Sequence, residues 1–514
     1  MSLLPTLLPA LLAAPARAQD GVLDTFDAWF GSLVVAPLGG VMFYNLAFWT
    51  DAYQIPAIVA WLVIGAVYFT LRMRFINLRG FGHAIEVTRG RFDAPHEAGE
   101  VSHFQALSSA LSATVGLGNI AGVALAVQVG GPGAVFWMVI AGFLGMSSKF
   151  TECTLGQMYR VVDAGGHISG GPMHYLDTGL SQLAKERAIP ALAPLGRALA
   201  LIFAVMCIGG SFGGGNMFQA NQAGAQLASM VPFFGTTAGR ITFGVLLAVM
   251  VGVVIIGGIK RIGAAAERIV PLMCGIYLAA GLAILAFNAS ALPEALGVIV
   301  RGAFTGEGVQ GGVIGVIIQG FRRAAFSNEA GVGSASIAHS AATTGEPVRE
   351  GIVSLLEPFI DTIVVCTMTG LVVVVTGAYQ LDVGDGVLLT AYAFRTVFPW
   401  FDIVLSVAVL LFAYSTMISW SYYGERCWTF LFGPASSMAY RVIFLCFVVL
   451  GSVLKLGNVL DFSDLMVLGM AFPNILGAVL LSGKVRVALD DYMARLESGE
   501  MKPTRCRSRW TFSP

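Results

Sequence analysis

The sequence predicts an all-α polytopic membrane protein, and three observations carry that class. Of 514 residues, 56% are hydrophobic and 12% are charged, against about 25% charged in an ordinary soluble domain. Apolar runs of about 20 residues, the length that crosses a bilayer, recur almost end to end. A short asparagine-and-glycine string occurs twice, once at the opening of each half of the chain. The composition excludes a soluble enzyme. Thirty Lys and Arg against 30 Asp and Glu leave no basic excess to neutralise the phosphates of a nucleic acid, so no nucleic-acid partner is expected. The 63 glycines suit membrane helices that pack closely or unwind locally. Cys153, Cys207, Cys274, Cys366, Cys427, Cys446 and Cys506 form no CxxC and read as small packing residues, with neither a disulfide framework nor a metal site.

In chain order, a Leu/Ala/Pro run followed by Ala16-Arg17-Ala18 has the small-x-small pattern of a signal-peptidase site. The expected leader is 1–18; an uncleaved interfacial leader is the other reading, because the run has no preceding Lys or Arg. Either way the mature N-terminus faces outward, in the periplasm. A first span near 55–71 is closed by Arg72, Arg74, Arg79 and His83, which marks the cytoplasmic side. Ten further spans are expected near 104–127, 134–158, 198–229, 240–259, 266–287, 311–336, 351–376, 401–423, 441–457 and 459–482. Inside loops then carry Lys185, Arg187 and Arg197, next Lys260 and Arg261, then Arg349, then Arg426 and Arg441. The tail carries Lys484, Arg486, Arg495, Lys502, Arg505, Arg507 and Arg509. Ala291–Phe304 and Val387–Phe398 are helically periodic but too short to span, and should lie along the outer surface.

The second span contains Thr114-Val-Gly-Leu-Gly-Asn-Ile-Ala-Gly122, poor helix material at mid-bilayer, so the helix should unwind there. GxGxxxG inside an apolar segment is not the dinucleotide loop, which is GxGxxG after a strand; a small-residue packing face is the competing reading. Asn119-Ile-Ala-Gly-Val-Ala-Leu-Ala126 aligns with Asn328-Glu-Ala-Gly-Val-Gly-Ser-Ala335. The copies open two five-helix halves, and an odd number of spans per half orients them oppositely. That is the inverted-repeat plan of secondary transporters, one N-terminal helix plus 5+5 with two discontinuous helices. The expected divisions are 1–18, 19–102, a first repeat over 103–287, an outer connection over 288–310, a second repeat over 311–483, and a cytoplasmic tail over 484–514. From Val101 to Ser148 there is no Asp, Glu, Lys or Arg. A zwitterion bound there would be held by backbone dipoles, hydroxyls and amides, with half-helix N-termini facing its carboxylate.

Several strings together resemble the alanine or glycine:cation symporter family, bacterial sodium:alanine symporters with a leucine-transporter-type fold. They are Thr114-Val-Gly-Leu-Gly-Asn-Ile-Ala-Gly-Val-Ala124, Gly130-Gly-Pro-Gly-Ala-Val-Phe-Trp-Met138, Gly170-Gly-Pro-Met-His-Tyr175, Gly213-Gly-Gly-Asn-Met-Phe-Gln219 and Arg323-Ala-Ala-Phe-Ser-Asn-Glu-Ala-Gly331. The resemblance runs from about residue 25 to 483. Val139 stands where the family usually has tryptophan, and His174 where tyrosine is expected. The resemblance implies inward cotransport of a small neutral amino acid, alanine or glycine, with sodium across the bacterial inner membrane, and no obligate protein partner.

The expected substrate ligands are Thr114, Gly116, Gly118 and Asn119 on the first broken helix, Asn216 and Gln219 on the fourth span, and Trp420. Packing and interhelical hydrogen bonding are the plainer roles for these residues. Met217, Phe218 and Trp420 are bulky enough to limit a cavity they lined. For sodium the expected ligands are backbone carbonyls near Ser112, Ala113 and Val115, with the hydroxyls of Ser415, Thr416 and Ser419, an oxygen set suited to a hard cation; Ser and Thr in membrane helices more often bond their own backbone. Arg322, Arg323 and Glu329 flank the second break as a gate or ion path. Lys149 and Glu152, three apart, are expected to pair, and Glu357 and Asp361 complete the embedded charges. No HExxH occurs and no GxSxG elbow suggests a nucleophile, which disfavours a membrane-embedded enzyme. A channel would not need an internal inverted repeat, and a same-fold symporter for another small zwitterion remains an alternative.

Overall fold

The structure, a computed structural model, describes residues 29–50, 52–93, 97–162, 167–306, 309–501 and 503. The expected leader, Cys506, and the tail cations Lys502, Arg505, Arg507 and Arg509 lie outside these. Among the described residues the chain is helical apart from one antiparallel pair of two-residue strands, Val161–Val162 with Ile168–Ser169, and two isolated bridges.

Among the described residues, eight helices are long and apolar enough to cross a bilayer: Gly133–Met158, Leu192–Met230, Thr237–Ile255, Gly258–Phe287, Pro347–Val375, Phe401–Phe432, Pro434–Val453 and Leu456–Glu497. A ninth span is a bent pair, His103–Thr114 and Gly118–Gly130, meeting at 51°. The expected count of eleven is not reached by this measure, for two physical reasons. Ala57–Arg72 has only 16 residues, and Gly312–Asn328 stops after 17 where Glu329 enters the left-handed region at φ +56°. The helices expected to lie flat are present as Leu292–Thr305 and Val387–Arg395.

Gly312–Asn328 packs on Gly133–Met158, and Leu192–Phe212 on Phe401–Phe432, which brings elements from both ends of the sequence around the bent pair. Three wide π-helical turns interrupt the bundle near its centre, at Gly118–Gly122, Gly213–Met217 and Phe359–Cys366. Such turns shift the hydrogen-bond ladder by one residue and re-aim side chains, and they concentrate at functional sites.

Candidate functional site

The first broken helix starts cleanly: Ser102 and Gln105 form a capping box. It ends because two ladder donors are taken by side chains. The Gly116 N–H donates to Asn119 Oδ1 at 2.8 Å and the Leu117 N–H to Gln219 Oε1 at 3.0 Å. In an unbroken helix these two donors would serve the carbonyls of Ser112 and Ala113. The break therefore withdraws those two donors from the carbonyls without leaving either buried N–H unsatisfied.

Beside the break is a narrow recess lined by Ala113, Thr114, Gly118, Gly214, Gln219, Phe326, Glu329, Trp420 and Val467. Trp420 forms one wall. A Cβ on Gly215 would lie 2.3 Å from its Cγ, so only glycine lets that indole rest on the fourth-span backbone. The indole N–H donates to Glu329 Oε1 at 2.9 Å, and the Ser334 hydroxyl donates to Oε2. Glu329 is 1% exposed and makes no ion pair among the described residues. Its carboxyl group lines the recess together with Gly118, where the second half of the broken helix begins.

Gln219 lines the recess while its Nε2 also donates to the Gly214 carbonyl at 2.9 Å. Two other expected ligands turn away. Asn119 donates to the backbone and carboxylate of Asp361 at 3.0 and 2.6 Å, and Asn216 donates to the Phe444 carbonyl at 2.7 Å. Both are buried outside the lining, spent on bracing. Asn119 has a counterpart in the second repeat. Asn328 Oδ1 accepts the Ala330 N–H at 2.9 Å and its Nδ2 donates to Thr362 Oγ1 at 2.8 Å. The paired asparagines thus each hold one backbone N–H of their own break and tie it to consecutive residues, Asp361 and Thr362, of one π-helical turn.

The hydroxyl cluster divides. Ser415 Oγ donates to the Phe412 carbonyl at 3.0 Å, and its own carbonyl accepts from Ser112 Oγ at 2.7 Å. Thr416 Oγ1 and Ser419 Oγ are buried and have no hydrogen-bond partner among the described residues. One helical turn apart, they share a face. Gly116 runs against that face, since a Cβ there would lie 2.4 Å from Thr416 Oγ1 and 3.2 Å from Gln219 Oε1. The two unpartnered hydroxyl oxygens and the backbone at Gly116 bring oxygen donors, the kind a hard cation such as sodium takes, to this face.

The gate candidates also separate. Arg322 Nη2 and Arg323 Nη2 both meet Asp464 Oδ2, the first at 2.7 Å, while Arg322 lies over Phe43 and Arg323 over Phe326. Glu329 belongs to the recess. The expected Lys149–Glu152 pair does not form: Lys149 Nζ meets Glu357 Oε1 at 2.9 Å, and Glu152 Oε1 accepts from Asn474. Residues three apart on a helix are close enough to pair, but Glu357 on a neighbouring helix meets the ammonium directly and Asn474 takes up Glu152. Sequence reasoning missed Gly214, Phe326 and Val467 as lining. Gly214 and Phe326 sit inside the quoted strings; Val467, one apolar residue in an apolar helix, gave no local signal.

The Sodium:alanine symporter family model matches residues 42–506. The sodium/alanine symporter AgcS of Methanococcus maripaludis is 40% identical over 434 residues, 84% of this chain and 92% of that one. The probable sodium/glutamine symporter GlnT of Bacillus subtilis is 35% identical over 446 residues, covering 86% and 89%. Among solved structures, MhsT in complex with L-phenylalanine superposes with a TM-score of 0.51 at 13% identity, over 78% of this chain and 99% of that one, a likeness of fold alone. The chain therefore belongs to the sodium:alanine symporter family, as a multi-pass membrane transporter of leucine-transporter-type fold that couples amino-acid movement to a cation and is not an enzyme.

Proposed function

We propose that this protein imports a small neutral amino acid, alanine or glycine, together with sodium by alternating access in the inner membrane. The observation that carries the reading is the break at Val115–Leu117. It frees the Ser112 and Ala113 carbonyls from their ladder donors and sets Gly116 against Thr416, while Ala113, Thr114 and Gly118 line a small recess walled by Trp420, Phe326 and Val467. Sodium takes the oxygen set. The amino acid takes the recess, its ammonium toward Glu329 and its carboxylate toward the Gly118 helix end and Gln219. The aromatic walls favour a small side chain.

The inverted repeat supplies the alternation: five-helix halves of opposite orientation, each braced on the Asp361–Thr362 turn, rock about a shared site. The positive-inside rule supports a cytoplasmic side for Arg72, Arg74, Lys260 and the tail, and a periplasmic N-terminus. One sodium moving inward at 100 mV releases about 2.3 kcal/mol, enough for roughly 50-fold accumulation from voltage alone.

The test is radiolabelled uptake into proteoliposomes, with alanine, glycine, serine, glutamine and phenylalanine compared. Replacing external sodium by choline should abolish alanine and glycine accumulation. Equal uptake in choline overturns sodium coupling, and preference for glutamine or phenylalanine overturns the small-substrate assignment.

A further inference from the structure

A second cluster of buried titratable groups lies outside the recess, where the two broken helices end together. Val101, just ahead of the first broken helix, bridges Ala342, just beyond the second. The Thr343 N–H donates to the Val101 carbonyl at 2.8 Å and the Glu100 N–H to the Ala341 carbonyl at 2.9 Å. Arg160 spans the seam, donating to the carbonyls of Ala98, Ser340, Ala342 and Thr344. Arg349 meets Glu97 at 3.1 Å.

Under this seam runs a chain of side chains. Lys149 Nζ meets Glu357 Oε1 at 2.9 Å, Glu357 Oε2 faces His339 Nε2 at 3.6 Å, and His339 Nδ1 meets Glu350 Oε1 at 2.6 Å. Glu350 Oε2 meets His103 Nδ1, and His103 Nε2 faces Asp93 at 3.9 Å. Lys149, Glu357, His339 and Glu350 are 0% exposed and His103 is 2% exposed, whereas the Asp93 side chain is 56% exposed. Other charged or titratable groups facing the cluster are Glu152, Cys153, Tyr423 and Glu329 around Lys149 and Glu357, with Arg160 near Glu350 and Arg349 near His103.

The geometry around His339 fits one protonation state. A neutral imidazole has one N–H and one lone pair. If Nδ1 donates to Glu350, the Nε2 lone pair faces Glu357 Oε2. In the other tautomer, the Nδ1 lone pair faces Glu350 Oε1. Either way two acceptors oppose each other in a dry site. The imidazolium donates from Nδ1 to Glu350 and turns a second N–H, on Nε2, toward Glu357 Oε2 3.6 Å away. With His103 neutral, charge counting agrees: Lys149 balances one of the two carboxylates, and a proton on His339 balances the other. We propose that His339, held between Glu350 and Glu357, is a proton-binding site whose proton locks the ends of the two broken helices together. His103 and Asp93 connect the cluster to solvent. Losing the proton leaves a buried negative charge unbalanced, so the seam opens and admits water as the pH on that face rises.

The test is hydrogen–deuterium exchange on the purified full-length chain, without sodium or amino acid, so its outcome is independent of what is transported. After division by intrinsic exchange rates, protection of segments 100–103 and 340–345 should fall at least tenfold between pH 6 and pH 9. His339→Gln, which cannot carry the charge, should exchange rapidly at every pH. Glu357→Gln removes the carboxylate that demands the proton, so its protection should persist to pH 9; this variant keeps the test decisive if His339→Gln does not fold. His103→Gln should retain a pH response. Wild-type protection that does not change with pH, or a wild-type pH response surviving in His339→Gln or Glu357→Gln, overturns the proposal.

Discussion

Replacing Thr416 by valine tests the sodium assignment through two effects of opposite sign. The Thr416 hydroxyl is buried without a hydrogen-bond partner, and an unsatisfied buried polar group costs about 1–3 kcal/mol. Valine fills nearly the same shape with no hydroxyl, so the sodium-free variant should be at least as stable as the native protein. Sodium reverses the comparison. A ligand present at 100 times its Kd stabilises the folded state by about 2.7 kcal/mol. Losing one hydrogen-bond-strength contact to a charge costs about 1.5–3 kcal/mol, which raises Kd about ten- to more than a hundredfold. At the same sodium concentration the stabilisation then falls to about 1.3 kcal/mol at the mild end and about 0.3 kcal/mol at the severe end. The assay is thermal unfolding of purified protein across a sodium titration, with choline holding ionic strength, and Ser419→Ala run in parallel. A sodium-free Thr416→Val protein destabilised by more than about 1 kcal/mol would mean that the hydroxyl has a structural partner. Undiminished stabilisation by sodium would mean that it is not a ligand.

Gly116→Ala places a Cβ 2.4 Å from Thr416 Oγ1, an overpacking expected to cost about 1–3 kcal/mol; adding Thr416→Ala should restore the melting temperature without restoring sodium-dependent uptake, and a single variant as stable as the native protein would refute the contact. Gln219→Glu replaces the donor facing the Gly214 carbonyl with an acceptor and adds charge to a recess that already holds Glu329, so alanine affinity should fall at least tenfold in a binding assay; unchanged affinity would place the substrate elsewhere. Burial, helped by Arg426 and opposed by Asp177, lowers the His174 imidazole from 6.5 to about 4. The unfolded chain then takes up a proton that the folded chain refuses, so this contribution is intact above pH 6.5 and is lost as pH falls toward 4. Melting curves at pH 7.5 and 4.5 should show a larger acid loss in the native protein than in His174→Tyr, and equal losses would refute the assignment.

The sequence by itself determined the class and the places where helices fail. Length and apolarity of its runs dictate membrane helices, because a bilayer demands both together. Gly116, Gly118 and Asn119 mark the first break, because glycine and asparagine are weak helix formers wherever they fold. The octapeptide repeat pointed to Asn119 and Asn328 as equivalents, and the hydroxyls near Trp420 were legible as a possible oxygen set. Tertiary structure alone decided what each side chain does there. Asn119 looked like a ligand, but its amide is consumed by Asp361, 242 positions away. Thr416 and Ser415 are adjacent and chemically alike, yet only Thr416 keeps its hydroxyl unpartnered, because the Ser415 hydroxyl reaches the Phe412 carbonyl. Lys149 pairs with Glu357 across 208 positions in place of Glu152 three away. A hydrogen bond or an ion pair depends on distance and direction in space, and spacing along a chain fixes those only within a helical turn or two. Contacts between helices of opposite repeats are set by how the whole bundle packs.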